Sequence, residues 1–283
     1  MEIVLVSGLS GSGKSIALDV LEDSGYYCVD NLPATLLLEV AKFLDAGGQK
    51  RVAVSVDARS VALSSLPQQL DALAALGAST RVLFLEASPE TLLRRFSETR
   101  RGHPLATGGR TLAEAIEQER ALLAGVSALG HRIDTSHLQP KVLRNWIKDL
   151  LGAGGDALTL LFESFAFRDG LPLDADWVVD ARMLPNPHYQ PGLAPLTGRD
   201  AAVAAFLEAD AKVRAFLDDL RAFLGRWLPE AERDNRNYLT VAVGCTGGRH
   251  RSVYLVEQLA RGFEARWRVL VRHRALAATA PDA

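Results

Sequence analysis

The chain has 283 residues, 48% hydrophobic and 23% charged, with 32 basic side chains against 34 acidic ones and a net charge of −2. That length suits two domains with a core each, and the charge balance excludes a polycation that coats nucleic acid along its whole surface. Two cysteines, Cys28 and Cys245, make no disulfide framework, and no apolar run reaches membrane-span length, so a reducing, cytoplasmic setting away from membranes is expected.

The first residues lead straight into an apolar strand at Ile3–Ser7, so no targeting leader is expected. Further strands read as Tyr27–Val29, Val52–Val56, Arg81–Leu85 and Arg132–Asp134. Between them lie amphipathic patterns near 14–24, 34–45, 65–76, 89–100, 111–124 and 138–150. Such alternation predicts right-handed crossovers and a parallel sheet covered on both faces. Glycines at 152, 154 and 155 end the pattern, giving expected domains at 1–153 and 156–283. The second half reads as α/β as well, with strands at 157–163, 176–180, 238–243 and 267–272 and one long helix over about 201–228. The Ala-rich stretch 275–283 is expected to fray.

Between the first strand and helix stands Gly8-Leu9-Ser10-Gly11-Ser12-Gly13-Lys14-Ser15, a complete G-x-x-x-x-G-K-[ST] element in its proper context. Glycines let successive N–H groups turn inward around phosphate oxygens, and the helix start adds its positive end. Lys14 is placed to reach the β- and γ-phosphates of ATP or GTP, and the Ser15 hydroxyl to hold Mg²⁺. An acidic residue ordering Mg²⁺ or water is sought at a neighbouring strand end, where Asp30, Asp57 and Glu86 are the candidates. Asp57 is favoured for its neighbour Arg59, while Asp30 and Glu86 can equally cap helices. Arg94, Arg95, Arg100 and Arg101 read either as a lid over a transferring phosphate or as a solvated face.

A second strand, glycine turn and helix start surround Gly244-Cys245-Thr246-Gly247-Gly248-Arg249-His250-Arg251-Ser252. Three readings stand: binding of a phosphorylated small molecule with Arg251 as the fork, phosphate-ester cleavage by Cys245 in a C-x5-R-[ST] pattern, or a purely structural loop. His188 is a loop histidine that could join this site. Residues 245–274 hold seven arginines and two glutamates with interleaved aromatics. That composition suits either RNA or a charge-protected edge strand.

Three segments, Ser7–Ser15 with Tyr26–Pro33, Phe162–Phe165 with Leu184–His188, and Gly244–Ser252, carry a resemblance that spans the chain. The sequence resembles the RapZ-type RNase adapter proteins, a bacterial nucleotide-binding family. The resemblance implies a P-loop NTPase domain with ATP at Gly8–Ser15, a guanine-nucleotide segment at Asp57-Ala58-Arg59-Ser60, and slow hydrolysis, for which Lys14, Ser15 and Asp57, read from the residues above, are the catalytic candidates. It implies a glucosamine-6-phosphate pocket at His188, Thr246, Gly247, His250 and Arg251, to which Gly248 and Ser252 are joined as loop neighbours. It further implies small-RNA binding, assigned here to Arg266, Arg268, Arg272 and Arg274, presentation of that RNA to an endoribonuclease, and homo-oligomeric assembly. RNA-binding members end in a basic segment, whereas 275–283 here contain no base. A small-molecule kinase and an adapter with vestigial nucleotide binding are the competing functional classes.

Overall fold

A computed structural model describes residues 1–152, 158–234, 236 and 238–277. The chain divides into two compact units, Met1–Lys148 and Asp149–Ala283. The boundary expected at 152–155 lies mostly outside the described residues, as does most of the tail expected to fray.

The first unit is a five-stranded parallel sheet in the order β2-β3-β1-β4-β5: β1 (Glu2–Gly8), β2 (Tyr27–Val29), β3 (Arg51–Ser55), β4 (Ser79–Glu86) and β5 (His131–Asp134). Its helices are α1 (Lys14–Asp23), α2 (Leu37–Ala46), α3 (Leu66–Ala75), α4 (Pro89–Thr99), α5 (Leu112–Ser127) and the greater part of α6 (Pro140–Gly152), whose residues from Asp149 on belong to the second unit. The near-continuous apolar runs of β1 and β3 are buried because a parallel sheet is covered on both faces. β1 lies between β3 and β4, so its carboxyl end opens at the point where strand order reverses, where α/β sheets hold ligands. Cys28, at the other edge, has its thiol pushed up to about 11 by burial and by Glu22 and Asp19.

The second unit is a four-stranded parallel sheet, β7-β8-β6-β9, built from β6 (Thr159–Ala166), β7 (Trp177–Asp180), β8 (Tyr238–Cys245) and β9 (Arg268–His273). Helices α7 (Ala201–Ala209), α8 (Ala211–Arg233), α9 (Arg251–Phe263) and the short α10 (Arg274–Ala277) complete it. The single helix expected over 201–228 is two. Asp210 breaks it by turning extended, and its carboxylate caps α8 by accepting the N–H groups of Lys212 at 2.8 Å and Val213 at 3.4 Å. The first residues expected to fray instead enter α10, where Ala275 is buried. No described helix is long and apolar enough to cross a membrane.

Candidate functional site

The loop from β1 to α1 depends on glycine at two positions, through backbone crowding at the first and left-handed backbone at both. A Cβ on Gly8 would stand 2.0 Å from the Leu85 carbonyl oxygen, and one on Gly13 would stand 2.8 Å from the Leu143 side chain; both residues have positive φ, 141° and 107°. Leu9 anchors the turn, its side chain in the core and its N–H on the Leu85 carbonyl at 3.0 Å. Ser12 donates its N–H to Leu9, and its buried hydroxyl oxygen has no partner. Among the described residues the N–H groups of Gly11, Gly13, Lys14 and Ser15 find no acceptor, the last three because a helix start leaves its first donors unpaired. That cradle fits a phosphate chain, with the exposed Ser15 hydroxyl available to an accompanying Mg²⁺. Among the described residues no group of three or more His, Cys, Asp or Glu is arranged to hold a metal by itself.

Lys14 extends back over the loop to the Gly8 carbonyl at 2.6 Å. Burial pushes its ammonium below the ordinary lysine range, against the opposing charges of Glu119, Asp57 and Asp30. Asp57 is buried, with its carboxylate held by Arg59 through the backbone N–H and Nε, each at 2.9 Å. Arg59 also donates to the Asn31 side-chain Oδ1 at 3.3 Å, and the Ser60 hydroxyl accepts the Ala34 N–H at 2.7 Å, so Asp57–Ser60 is knitted to the segment after β2. Ala58 is half-buried between them.

The alternatives of helix capping are corrected. Asp30 accepts the Ser55 hydroxyl, and Glu86 is paired with Arg132 and with Arg120 at 3.5 Å; burial nevertheless pushes the Glu86 carboxyl up. Of the four lid candidates only Arg95 reaches the loop, donating to the Gly11 carbonyl at 3.0 Å and to Thr135 at 2.6 and 3.0 Å. Arg94, Arg100 and Arg101 are exposed.

In the second unit β8 ends at Cys245 and α9 starts at Arg251. The Cys245 sulfur lies 3.1 Å from the Ser252 hydroxyl. Burial pushes this thiol up, but the Ser252 hydroxyl and N–H, the Arg251 charge and the Gly248 N–H outweigh it and hold the thiol below the ordinary cysteine range. Gly248 and Ser252 are therefore occupied behind the loop. Arg251, 5% exposed, donates from Nη1 to the carbonyls of Arg182 at 2.8 Å and Leu184 at 2.9 Å, and from Nη2 to the Thr246 hydroxyl at 3.3 Å.

His188 is brought to this loop from a distant segment: its ring centre lies 6.4 Å from that of His250, whose Nε2 has no hydrogen-bond partner. Burial lowers the His250 pKa, opposed by the carbonyls of Leu193 and Leu196. Thr246 is exposed and Gly247 half-exposed beside them.

The basic patch is not a single surface. Arg272 and Arg274 are buried, Arg274 beside Glu163 at 3.3 Å and Asp174 at 3.6 Å, and Arg272 within the field of the same two carboxylates. Their assignment to RNA is corrected on that ground: a guanidinium committed to interior carboxylates presents nothing to a phosphate backbone. Arg266 is exposed over the Trp267 ring, and Arg268 is half-buried with a bond to the Gly152 carbonyl. β9 is an edge strand, as the alternation of charge allowed.

The family of the RapZ-like N-terminal domain matches residues 1–155, and that of the RapZ C-terminal domain matches residues 158–277. The chain belongs to the RapZ family. A nucleotide-binding protein of Thiobacillus denitrificans is 59% identical over 277 residues, covering 98% of this chain and 100% of its own length. A nucleotide-binding protein of Methylobacillus flagellatus is 56% identical over 277 residues, covering 98% of this chain and 99% of its own.

Two residues beside the β1–α1 loop of this RapZ-family chain escaped the sequence reading. Glu119 and His103 are both buried, and Glu119 accepts the N–H and the hydroxyl of Ser10. A signal for Glu119 existed. The buried face of α5 runs through Ala115, Ile116, Glu119, Leu123 and Val126, which sets a charge in an apolar stripe at helical spacing.

Proposed function

We propose that this RapZ-family chain is a nucleotide-binding regulatory protein whose first unit binds ATP or GTP with Mg²⁺ at Gly8–Ser15. The observation that carries the reading is the run of unclaimed N–H groups at Gly11, Gly13, Lys14 and Ser15, in the β1–α1 turn that also holds the Lys14 ammonium. The naming of its relatives in Methylobacillus flagellatus and Thiobacillus denitrificans as nucleotide-binding proteins supports it. In this reading the N–H groups hold the phosphate chain, Lys14 swings from the Gly8 carbonyl to neutralise the outer phosphates, and Ser15 meets Mg²⁺, which supplies charge neutralisation during slow hydrolysis. Asp57–Ser60, tied to Asn31, is the segment assigned to the guanine nucleotide.

The second unit is assigned a phosphorylated amino sugar, glucosamine-6-phosphate. The approach of His188 to His250, with Thr246, Gly247 and Arg251 alongside, supports that ligand more than cleavage at Cys245, a residue only 3% exposed. RNA presentation to an endoribonuclease would rest on Arg266 and Arg268 alone. Isothermal calorimetry with Mg²⁺ and a nonhydrolysable triphosphate tests the first assignment: wild-type protein gives a saturable heat that Lys14→Ala abolishes. Equal binding by that variant refutes it. Release of free phosphate only, with no labelled acceptor from a metabolite extract, separates this function from a small-molecule kinase.

A further inference from the structure

Glu119 approaches the phosphate loop from α5 with both carboxylate oxygens engaged. Oε2 accepts the Ser10 N–H at 2.8 Å and Oε1 accepts the Ser10 hydroxyl at 2.7 Å. His103 Nε2 lies 3.1 Å from Oε2, and the Leu105 N–H donates to His103 Nδ1 at 3.1 Å. The proton of the neutral ring is therefore on Nε2, and it too is donated to Glu119. Three donors converging on one carboxylate make an anion seat, and two of them belong to the third residue of a phosphate-binding loop.

The same carboxylate acts on the cations of the site. Lys14 and Arg59 each feel Glu119, Asp57 and Asp30, so three carboxylates face two cations where the outermost phosphate would arrive. The open N–H groups of Gly11, Gly13, Lys14 and Ser15 follow Ser10 along the loop, towards α1, and among the described residues none of them donates to Glu119.

We propose that Glu119 is a specificity-determining residue of the nucleotide loop: its carboxylate takes the Ser10 donors that a terminal phosphate would use. With Glu119 seated the loop accepts a nucleoside diphosphate, and a triphosphate enters only with Glu119 released. This rests on the nucleotide reading of Gly8–Ser15 given above. The protein then distinguishes the charge state of the nucleotide pool. His103 stabilises the seated carboxylate and is a positioning residue of the same device.

The test is calorimetric titration of the full chain with Mg²⁺ and either ADP or the triphosphate analogue adenylyl imidodiphosphate, using wild-type protein, Glu119→Gln and Glu119→Ala. Wild type is expected to prefer ADP. Glu119→Gln is expected to bind the analogue at least about ten-fold tighter than wild type, equivalent to about 1.4 kcal/mol, with ADP affinity little changed. The wild-type preference stands as a readout even where a variant fails to fold. A wild type that prefers the triphosphate, or a Glu119→Gln ratio of the two affinities equal to that of wild type, overturns the proposal while leaving the nucleotide site intact. Absence of binding by either nucleotide to wild type and both variants overturns the nucleotide reading and this proposal together.

Discussion

Replacing Arg251 by alanine tests whether the second loop is built on the side chain that would also grip its ligand. The guanidinium is 5% exposed, and Nη1 serves two backbone carbonyls, those of Arg182 and Leu184 at 2.8 and 2.9 Å. Charged hydrogen bonds contribute about 1.5–3 kcal/mol each. Both are lost in the variant, and the carbonyls are left without a donor, so the expected destabilisation is about 3–5 kcal/mol. For a unit of this size each kcal/mol moves Tm by about 3 °C, which puts the shift near 10–15 °C. Differential scanning calorimetry of the full chain reads it, with triphosphate binding at Lys14 as the control for the first unit. Arg251→Lys, which keeps the charge but not the fork, falls between wild type and alanine. A Tm within about 2 °C of wild type for Arg251→Ala would show that the carbonyls do not depend on Arg251, and the reasoning fails. Thr246→Val is the cleaner probe of sugar-phosphate binding, because Thr246 is exposed and supports only the Arg251 bond at 3.3 Å.

Arg95→Ala removes three hydrogen bonds to Gly11 and Thr135 and loosens the loop, lowering triphosphate affinity by about ten-fold in calorimetry; unchanged affinity would return Arg95 to the solvated face. His250 and His273 both have folded-state pKa values lowered by burial. Below about pH 6.5 the unfolded chain therefore takes up protons first, and each histidine contributes stability that is complete above that pH and lost as pH falls towards the lower folded value. Urea unfolding at pH 7 and pH 5.5 should show the loss, and His250→Asn and His273→Asn should each flatten the slope; parallel slopes in wild type and variants contradict it. Asp210→Ala costs about 1 kcal/mol in the same assay while Asp210→Asn costs less, since only the cap bonds to Lys212 and Val213 are at stake. Phe162→Ala, fully buried with its ring centre 5.9 Å from that of Phe263, costs about 3–5 kcal/mol, and a value near zero would remove it from the core.

The elements that could be read from sequence were those whose own residues dictate them. The apolar run of β1, the three glycines and Lys14-Ser15 specify strand, turn and helix locally, and Gly8 cannot be replaced where the Leu85 carbonyl comes within 2.0 Å of its missing Cβ. The break at Asp210 was equally local, but apolar residues spaced across it at three and four hid a capping carboxylate. What stayed hidden was partnership across the chain. Nothing adjacent to Glu119 announces Ser10, 109 residues away, and nothing adjacent to Arg274 announces Glu163, 111 away. The four arginines at 266, 268, 272 and 274, in and around β9, therefore read as a basic face when two of them turn inward to neutralise Glu163 and Asp174. His188 and His250 lie with ring centres 6.4 Å apart, a proximity that their local spacing gave no reason to expect.

The most direct measurement is a crystal structure of the full chain grown with Mg²⁺ and a nonhydrolysable triphosphate. The account predicts phosphate oxygens on the N–H groups of Gly11, Gly13, Lys14 and Ser15, Mg²⁺ at the Ser15 hydroxyl, and Glu119 withdrawn from Ser10. Density for the triphosphate anywhere else, with Lys14 still on the Gly8 carbonyl and the loop amides facing solvent, contradicts it.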